Sequence, residues 1–452
     1  MTTVPEIITA MRQVAPPGQR VVPEQAVAEL KLLTKELVAT RPEAIAELLR
    51  FQQIRQRSIS LPDSGPADLI RGRRVLVTGG TGCIGSRLLA QLARLRPEHL
   101  ASVSRGHAVF WPRHERVRYM YADISDRDSL RRVFAEVRPD TVFHLAAQRD
   151  PGLAEQAVEV TVGTNVLGTR NVVEACAEHG VDILSCASSG KALRPYSREV
   201  YTATKRLGEW LLAEAAPRTD MTISASRFTH VVDNSIVFNR LVSWAQSGVI
   251  RLHDSNTLFY AQSAKESAQL LVVGALSERG GRVRVNAVTD LGWPVNLLDL
   301  AIGALARAES DSPIYFSGHD PGYEHSPFPV LYDPASAGET SPLFSAFEAG
   351  GAECDSALGV DSFQVSLQLD RVPDDLITEL ERSCTAIDDS ERVRAVLDEL
   401  SWCLLDATLA AVPAATLSRV ARLAAPYEDA LSSDHSKMLA LIQRYANSGQ
   451  AP

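Results

Sequence analysis

Arg74-Val-Leu-Val-Thr-Gly-Gly-Thr-Gly-Cys-Ile-Gly85 is the stretch on which the fold turns. It opens as a short β-branched run and breaks off into glycines, and a helix is expected from Ser86 to about Arg94. Gly79, Gly82 and Gly85 fall in a G-x-x-G-x-x-G spacing between that strand and that helix. Glycines placed so let the turn close, let a pyrophosphate come close to the backbone and let the helix pack on the strand. The helix N-terminus adds unpaired N–H groups and the positive end of its dipole. A glycine pattern alone is weak; between a strand and a helix it reads as a dinucleotide-binding turn.

Working outward, strand signals recur at Leu100–Val103, Val117–Tyr121, Thr141–Leu145, Asp182–Cys186 and Thr222–Ser226, with helical stretches between them. Alternating strands and helices predict an α/β fold, a Rossmann-type doubly wound parallel sheet with its ligand at the carboxyl ends of the strands. Upstream, Val27, Leu30, Leu33, Leu37, Ile45, Leu48 and Leu49 recur at helical spacing, and Ser60–Pro66 reads as a turn-rich linker. After Val231 the alternation blurs, and from Pro373 to Tyr445 the pattern is helical again. The expected organisation is a helical N-terminal extension over 1–70, packed on the body or on a partner subunit, and a dinucleotide-binding body with the catalytic residues over 71–290. A small substrate lid follows over 291–360, joined by 231–258, and then a C-terminal helical region over 361–452.

The 452 residues exceed one compact core. A net charge of −9 with no basic stripe argues against nucleic acid. The cysteines, Cys83, Cys176, Cys186, Cys354, Cys384 and Cys403, form no C-x-x-C pair and no cluster with histidine, so reduced thiols and no metal site are expected. No basic-then-apolar leader and no apolar run of about 18 residues is present, which predicts a soluble, cytoplasmic chain without a membrane partner.

The second strand ends Val103-Ser104-Arg105-Gly106. An acid there would bind the ribose 2′-hydroxyl of NAD. Ser104 and Arg105 suit a 2′-phosphate instead, which favours NADP(H) over the alternative of a plain surface arginine. Tyr201-Thr-Ala-Thr-Lys205 puts a phenol and an ammonium on one helix face, where the lysine charge is expected to lower the tyrosine pKa. Ser188-Ser189 follows a strand and can offer a hydroxyl to a substrate oxygen.

Together with Tyr121-Ala-Asp-Ile124, His144-Leu-Ala-Ala147 and Asn165-Val-Leu-Gly168, these motifs resemble the extended short-chain dehydrogenase/reductases. Thr164-Asn-Val-Leu-Gly-Thr169 and Lys191-Ala-Leu-Arg-Pro195 are similar to the nucleotide-sugar 4,6-dehydratase and epimerase branch of polysaccharide biosynthesis, over about Arg73 to Ala306. The resemblance implies cofactor contacts from Gly79, Thr81, Gly82, Cys83, Ile84 and Gly85, from Ser104 and Arg105, and from Asp123 and Ile124 beside the adenine. It implies Ala146 and Ala147 on the nicotinamide side and Asn165 bracing the catalytic helix. Ser189 would be the hydroxyl partner, Tyr201 the acid/base and Lys205 the ribose-binding lysine. A homodimer through the helices beside Tyr201 is implied as well.

Three departures carry weight. The dehydratases place an Asp after the catalytic hydroxyl residue to expel the C6 hydroxyl; here stands Gly190, which has no proton to give, while Lys191, which helps as base in that branch, remains, as base or as a plain substrate contact. Thr257-Leu258-Phe259 stands where the family has Thr-Arg-Phe, and Asp320-Pro-Gly-Tyr323 where it has Arg-Pro-Gly-Glu. With Leu258 apolar and Asp320 reversed in sign, a diphosphate clamp is weakened, unless Arg240 or Arg251 holds the phosphates. The expectation is an NADPH-dependent ketoreductase acting on a hexose or amino-sugar unit, with an aminoglycoside intermediate of antibiotic biosynthesis as the substrate that fits. The alternatives are a nucleotide-sugar epimerase or 4,6-dehydratase with tightly bound NADP, and a non-catalytic NADP-binding regulator.

Overall fold

The computed structural model describes residues 3–448, apart from 20, 63, 107–109, 111, 247, 279, 324–326, 332–336 and 386–388. Parts of the expected lid, 324–326 and 332–336, therefore lie outside the described residues. The chain divides into two compact units, one of residues 1–57, 229–264 and 291–323, the other of 58–228, 265–290 and 324–452.

The larger unit is a Rossmann-type α/β body. Its parallel strands are β1 (Arg74–Thr78), β2 (His99–Ser104), β3 (Arg118–Tyr121), β4 (Thr141–His144), β5 (Ile183–Ser189) and β6 (Thr222–Phe228), lying in the order β6-β5-β4-β1-β2-β3. Val75, Leu76 and Val77 have no exposed surface, as expected of a central strand covered on both faces. β1 lies between β4 and β2, with Val75 opposite Thr141 on one side and Leu100 on the other. The chain therefore reverses its winding at β1, and a crevice opens there at the carboxyl ends. The helix after β1 spans Cys83–Arg94 with Gly82 as N-cap, three residues earlier than the periodicity suggests.

The sheet continues past β6 in a way the sequence does not announce. Arg284–Val288 pairs parallel with β6, Val360–Gln364 pairs antiparallel with Arg284–Val288, and Glu353–Asp355 forms the edge. Glu353–Asp355 and Val360–Gln364 are joined by too few residues for a crossover, so they can only run antiparallel. The Ser60–Pro66 stretch, read as a linker, contributes to a helix at Ser64–Ile70. Downstream helices at Asp374–Thr385, Ser390–Leu409, Ala414–Ala424 and Ser433–Ser448 complete this unit. Ile377, Leu380, Val393, Val396, Leu400 and Leu404 pack with Val200, Leu207, Trp210 and Leu211 of the helix Val200–Ala215, which carries Tyr201. That face of the helix is filled by the chain's own tail.

In the smaller unit, helices Glu24–Ala39 and Ala44–Gln53 pack on Leu297–Ala308 and Val4–Val14 packs on Glu24–Ala39, around a core that includes Leu30, Leu37, Leu48, Phe51, Leu298 and Ile302. Gly303 lets two of these helices touch: a Cβ there would run into the Ala44 carbonyl and meet the Leu48 Cβ at 2.9 Å. Three short strand pairs and the helix Ile236–Gln246 finish the unit. Among the described residues no single helix is long and apolar enough to cross a membrane.

Candidate active site

Neighbouring strands bring the predicted residues of the larger unit to one edge of the sheet. Gly79 takes a φ of +73°, and a Cβ on it would lie 2.7 Å from the Ala146 amide nitrogen. The glycine turn and the end of β4 thus close on each other with no room for a side chain. Gly85 is crowded by the Gly80 backbone in the same manner, at 2.7 Å from its Cα. Gly82 caps the helix, and Thr81, Cys83 and Ile84 sit in the turn and first helical residues. A turn this close beside a helix N-terminus is suited to a dinucleotide pyrophosphate.

At the end of β2, Arg105 lies 3.8 Å from the Asp123 carboxylate. The Asp123 side chain also accepts from the Ser125 amide and hydroxyl at 2.9 and 2.7 Å, and Asn171 donates to the Ile124 carbonyl at 2.9 Å. Ser104 accepts from the Gly106 amide at 3.4 Å. The strand ends are therefore held in register by side chains, with arginine and not an acid at the tip of β2.

Between β4 and the helices, His144 is buried, with Nδ1 2.7 Å from the Thr78 hydroxyl and Nε2 3.0 Å from that of Thr169. Burial, helped by the Lys205 charge, drives its pKa down to about 3. The ring is neutral and fixes the strand ends that Ala146 and Ala147 continue. Asn165 lies in a widened helical turn, Gly163–Leu167. Its side chain accepts from the Gln148 amide at 2.8 Å and donates to the Gln148 carbonyl at 2.9 Å and to Thr204 at 3.2 Å. It ties the loop after β4 to the helix bearing Tyr201.

Ser189 ends β5, where its hydroxyl accepts from the Lys191 amide at 3.2 Å and lies close enough to Tyr201 to lower the phenol's pKa. Lys205, one turn along, donates to the Ala187 carbonyl at 3.3 Å. Here the electrostatics differ from the expectation. Burial raises the Tyr201 pKa, and what pulls it back is the Ser189 hydrogen bond and the Arg149 charge. The shared helix face sets Lys205 near the phenol, but its ammonium turns to the β5 backbone. Burial lowers the Lys205 pKa to about 8, against the pull of Cys186 and Glu209.

Lys191 is ion-paired with Glu199 at 2.8 Å, and Arg194 reaches the same carboxylate at 3.2 Å. Burial would raise Glu199, but the Lys191 and Arg194 charges outweigh it and its pKa is lowered. Glu199, two residues before the Tyr201 motif, was legible as an acid beside the motif and was not singled out. Leu258 and Asp320 belong to the smaller unit. Leu258 is exposed, on a two-residue strand paired with Val295–Asn296. Asp320 is held by Arg251 at 2.7 Å and His253 at 3.2 Å. Its charge has partners within the protein, which removes the argument from charge reversal for a cationic substrate. The Arg251 Nε is buried and has no hydrogen-bond partner among the described residues.

Behind Ser189 lies a group the motifs did not reveal. Ser188 donates to Glu209 at 2.6 Å, and Arg227, wholly buried, bonds Glu209 at 2.8 and 2.9 Å and Glu348 at 2.7 and 2.8 Å. Burial would raise the Glu209 pKa, but the Arg227 guanidinium outweighs it and the pKa is lowered.

Residues 75–326 match the family described as polysaccharide biosynthesis protein. A probable polysaccharide biosynthesis protein, EpsC of Bacillus subtilis, is 28% identical over 285 residues, covering 59% of this chain and 46% of the relative. An inverting UDP-N-acetylglucosamine 4,6-dehydratase of Campylobacter jejuni is 29% identical over 238 residues, covering 49% of this chain and 69% of the relative. The chain spans less than half the length of the first of these. Among solved structures, Pen from Bacillus thuringiensis is similar with a TM-score of 0.55 at 20% identity, over 65% of this chain and 89% of that one.

Proposed function

The chain belongs to the polysaccharide biosynthesis protein family, and from that premise we propose that it is an NAD(P)-dependent enzyme that oxidises and re-reduces one carbon of a nucleotide-linked hexose, in the manner of an epimerase. The observation that carries this is the joining of Ser189, Tyr201 and Lys205 at the carboxyl ends of the strands, next to a position 190 that holds no acid.

The glycine cradle, Asp123, Ile124, Ala146, Ala147 and Lys205 would hold the cofactor, and a bound nicotinamide supplies the hydride acceptor and donor. The 2′-phosphate reading of Ser104 and Arg105 favours NADP(H). Tyr201 takes the hydroxyl proton as the sugar carbon is oxidised and returns it on reduction. Ser189 holds the sugar oxygen and the phenol in one hydrogen-bonded line. Lys205, one turn from Tyr201, donates to the Ala187 carbonyl and is placed to hold the cofactor ribose. Water expulsion needs a further acid, and Gly190 cannot serve. The relatives favour a nucleotide-linked substrate over a free aminoglycoside. The aminoglycoside ketoreductase anticipated from Leu258 and Asp320 thus loses its structural ground.

The test is calorimetry with NADPH, NAD, UDP-N-acetylglucosamine and paromamine, followed by chromatography and mass analysis of the product with and without added NADP. Binding of the nucleotide sugar and, with no cofactor added, a chromatographically distinct product of unchanged mass support the proposal. Loss of water would make the enzyme a dehydratase. Binding of paromamine alone, with loss of two hydrogens as added NADP is reduced, would restore the ketoreductase run in reverse.

A further inference from the structure

Gly190 follows Ser189 directly. A Cβ at this position would lie 2.8 Å from the Leu343 Cδ2 and 3.4 Å from the Phe228 carbonyl oxygen. The room that a side chain at 190 would need is filled by a leucine from far along the chain. That leucine is firmly seated. Arg227, buried in full, donates to its carbonyl at 2.9 Å, and Glu348, which caps the short helix Ala346–Ala349, grips the same arginine. On the other side Ser341 donates to the Val288 carbonyl at 2.7 Å and, through its amide, to Asp361 at 2.6 Å. The backbone that carries Leu343 is thus held on both sides, and its Cδ2 is what fills the space beside Gly190. It also lies beyond residues 75–326, the part that matches the family.

We propose that Leu343 is a specificity-determining residue, which makes the wall beside Ser189 apolar and selects a hexose whose exocyclic carbon is a bare methyl over one bearing a hydroxymethyl group. The inference rests on the reading of Ser189 as the hydroxyl that holds the reacting sugar oxygen. A hydroxyl placed against the leucine methyl groups loses its water and gains no partner, which is the stronger form of discrimination.

The experiment is calorimetry of UDP-N-acetylglucosamine and its 6-deoxy counterpart on the wild type and on Leu343→Ala, with Leu343→Val in reserve if the alanine variant does not fold. The wild type should prefer the 6-deoxy sugar by roughly tenfold or more, and the variant should lose most of that preference. Thermal melts of Gly190→Ala, alone and with Leu343→Ala, read the contact without any ligand. The single variant should melt at least about 2 °C lower, and the pair should recover part of the loss. A Gly190→Ala protein as stable as the wild type, or equal binding of the two sugars, overturns the assignment alone. Binding of neither sugar overturns the proposed substrate class and the assignment with it.

Discussion

Tyr201 is the residue on which the chemistry turns, and its surroundings make it a proton carrier that gives up its proton reluctantly: burial holds its pKa up, and Ser189 and Arg149 moderate the rise. Tyr201→Phe removes the proton without disturbing the cradle, so turnover should fall by roughly 10²–10⁴-fold while cofactor affinity in calorimetry holds. Lys205 sets the alkaline limit. Its folded pKa is lowered to about 8, so the ammonium is present below that pH and is lost as pH rises through it. The profile of kcat/KM should descend with a midpoint near 8, well below where an ordinary lysine would place it, and a plateau extending to pH 10 would remove Lys205 from this part.

At the scale of elements, Gly303 shows two principles in opposition. In a helix interior Gly→Ala usually gains about 1 kcal/mol. Here the new methyl group meets the Ala44 carbonyl and Leu48, and overpacking costs about 1–3 kcal/mol. The contact should win, and Gly303→Ala should lower the thermal midpoint of the protein. Such elements also mark where the sequence was readable. Strands β1 to β6 stood out because each is a short apolar run set between turn signals, and the helix at Tyr201 because its motif is local. The strand Val360–Gln364 did not, because its buried residues include Asp361 and Ser362, whose polarity hides the run. Leu343 carries no sequence signal at all, since its meaning lies in a glycine more than 150 residues before it. The helix Val4–Val14 was missed, and the partner of the front helices, Leu297–Ala308, lies some 250 residues on.

For the whole molecule, the buried Arg227 is where β6, the catalytic helix and the segment after residue 340 are fastened together. Removing it strands two carboxylates in the interior, whereas neutralising one of them leaves the rest paired. Arg227→Met should cost about 3–5 kcal/mol, seen as a loss of soluble protein or a large drop in urea midpoint. Glu348→Gln should cost less, and the reverse order would show that the cluster is not held by its arginine.

The tail helices that cover Val200, Leu207, Trp210 and Leu211 have a consequence for dilution. A cover supplied by a second molecule departs as the protein is thinned out, because its local concentration falls with the solution's. One supplied by the same chain has a local concentration set by the tether alone. Activity per molecule should therefore stay level from micromolar to nanomolar protein, with the helix that carries Tyr201 as well sheltered in a single isolated copy as in a crowded solution.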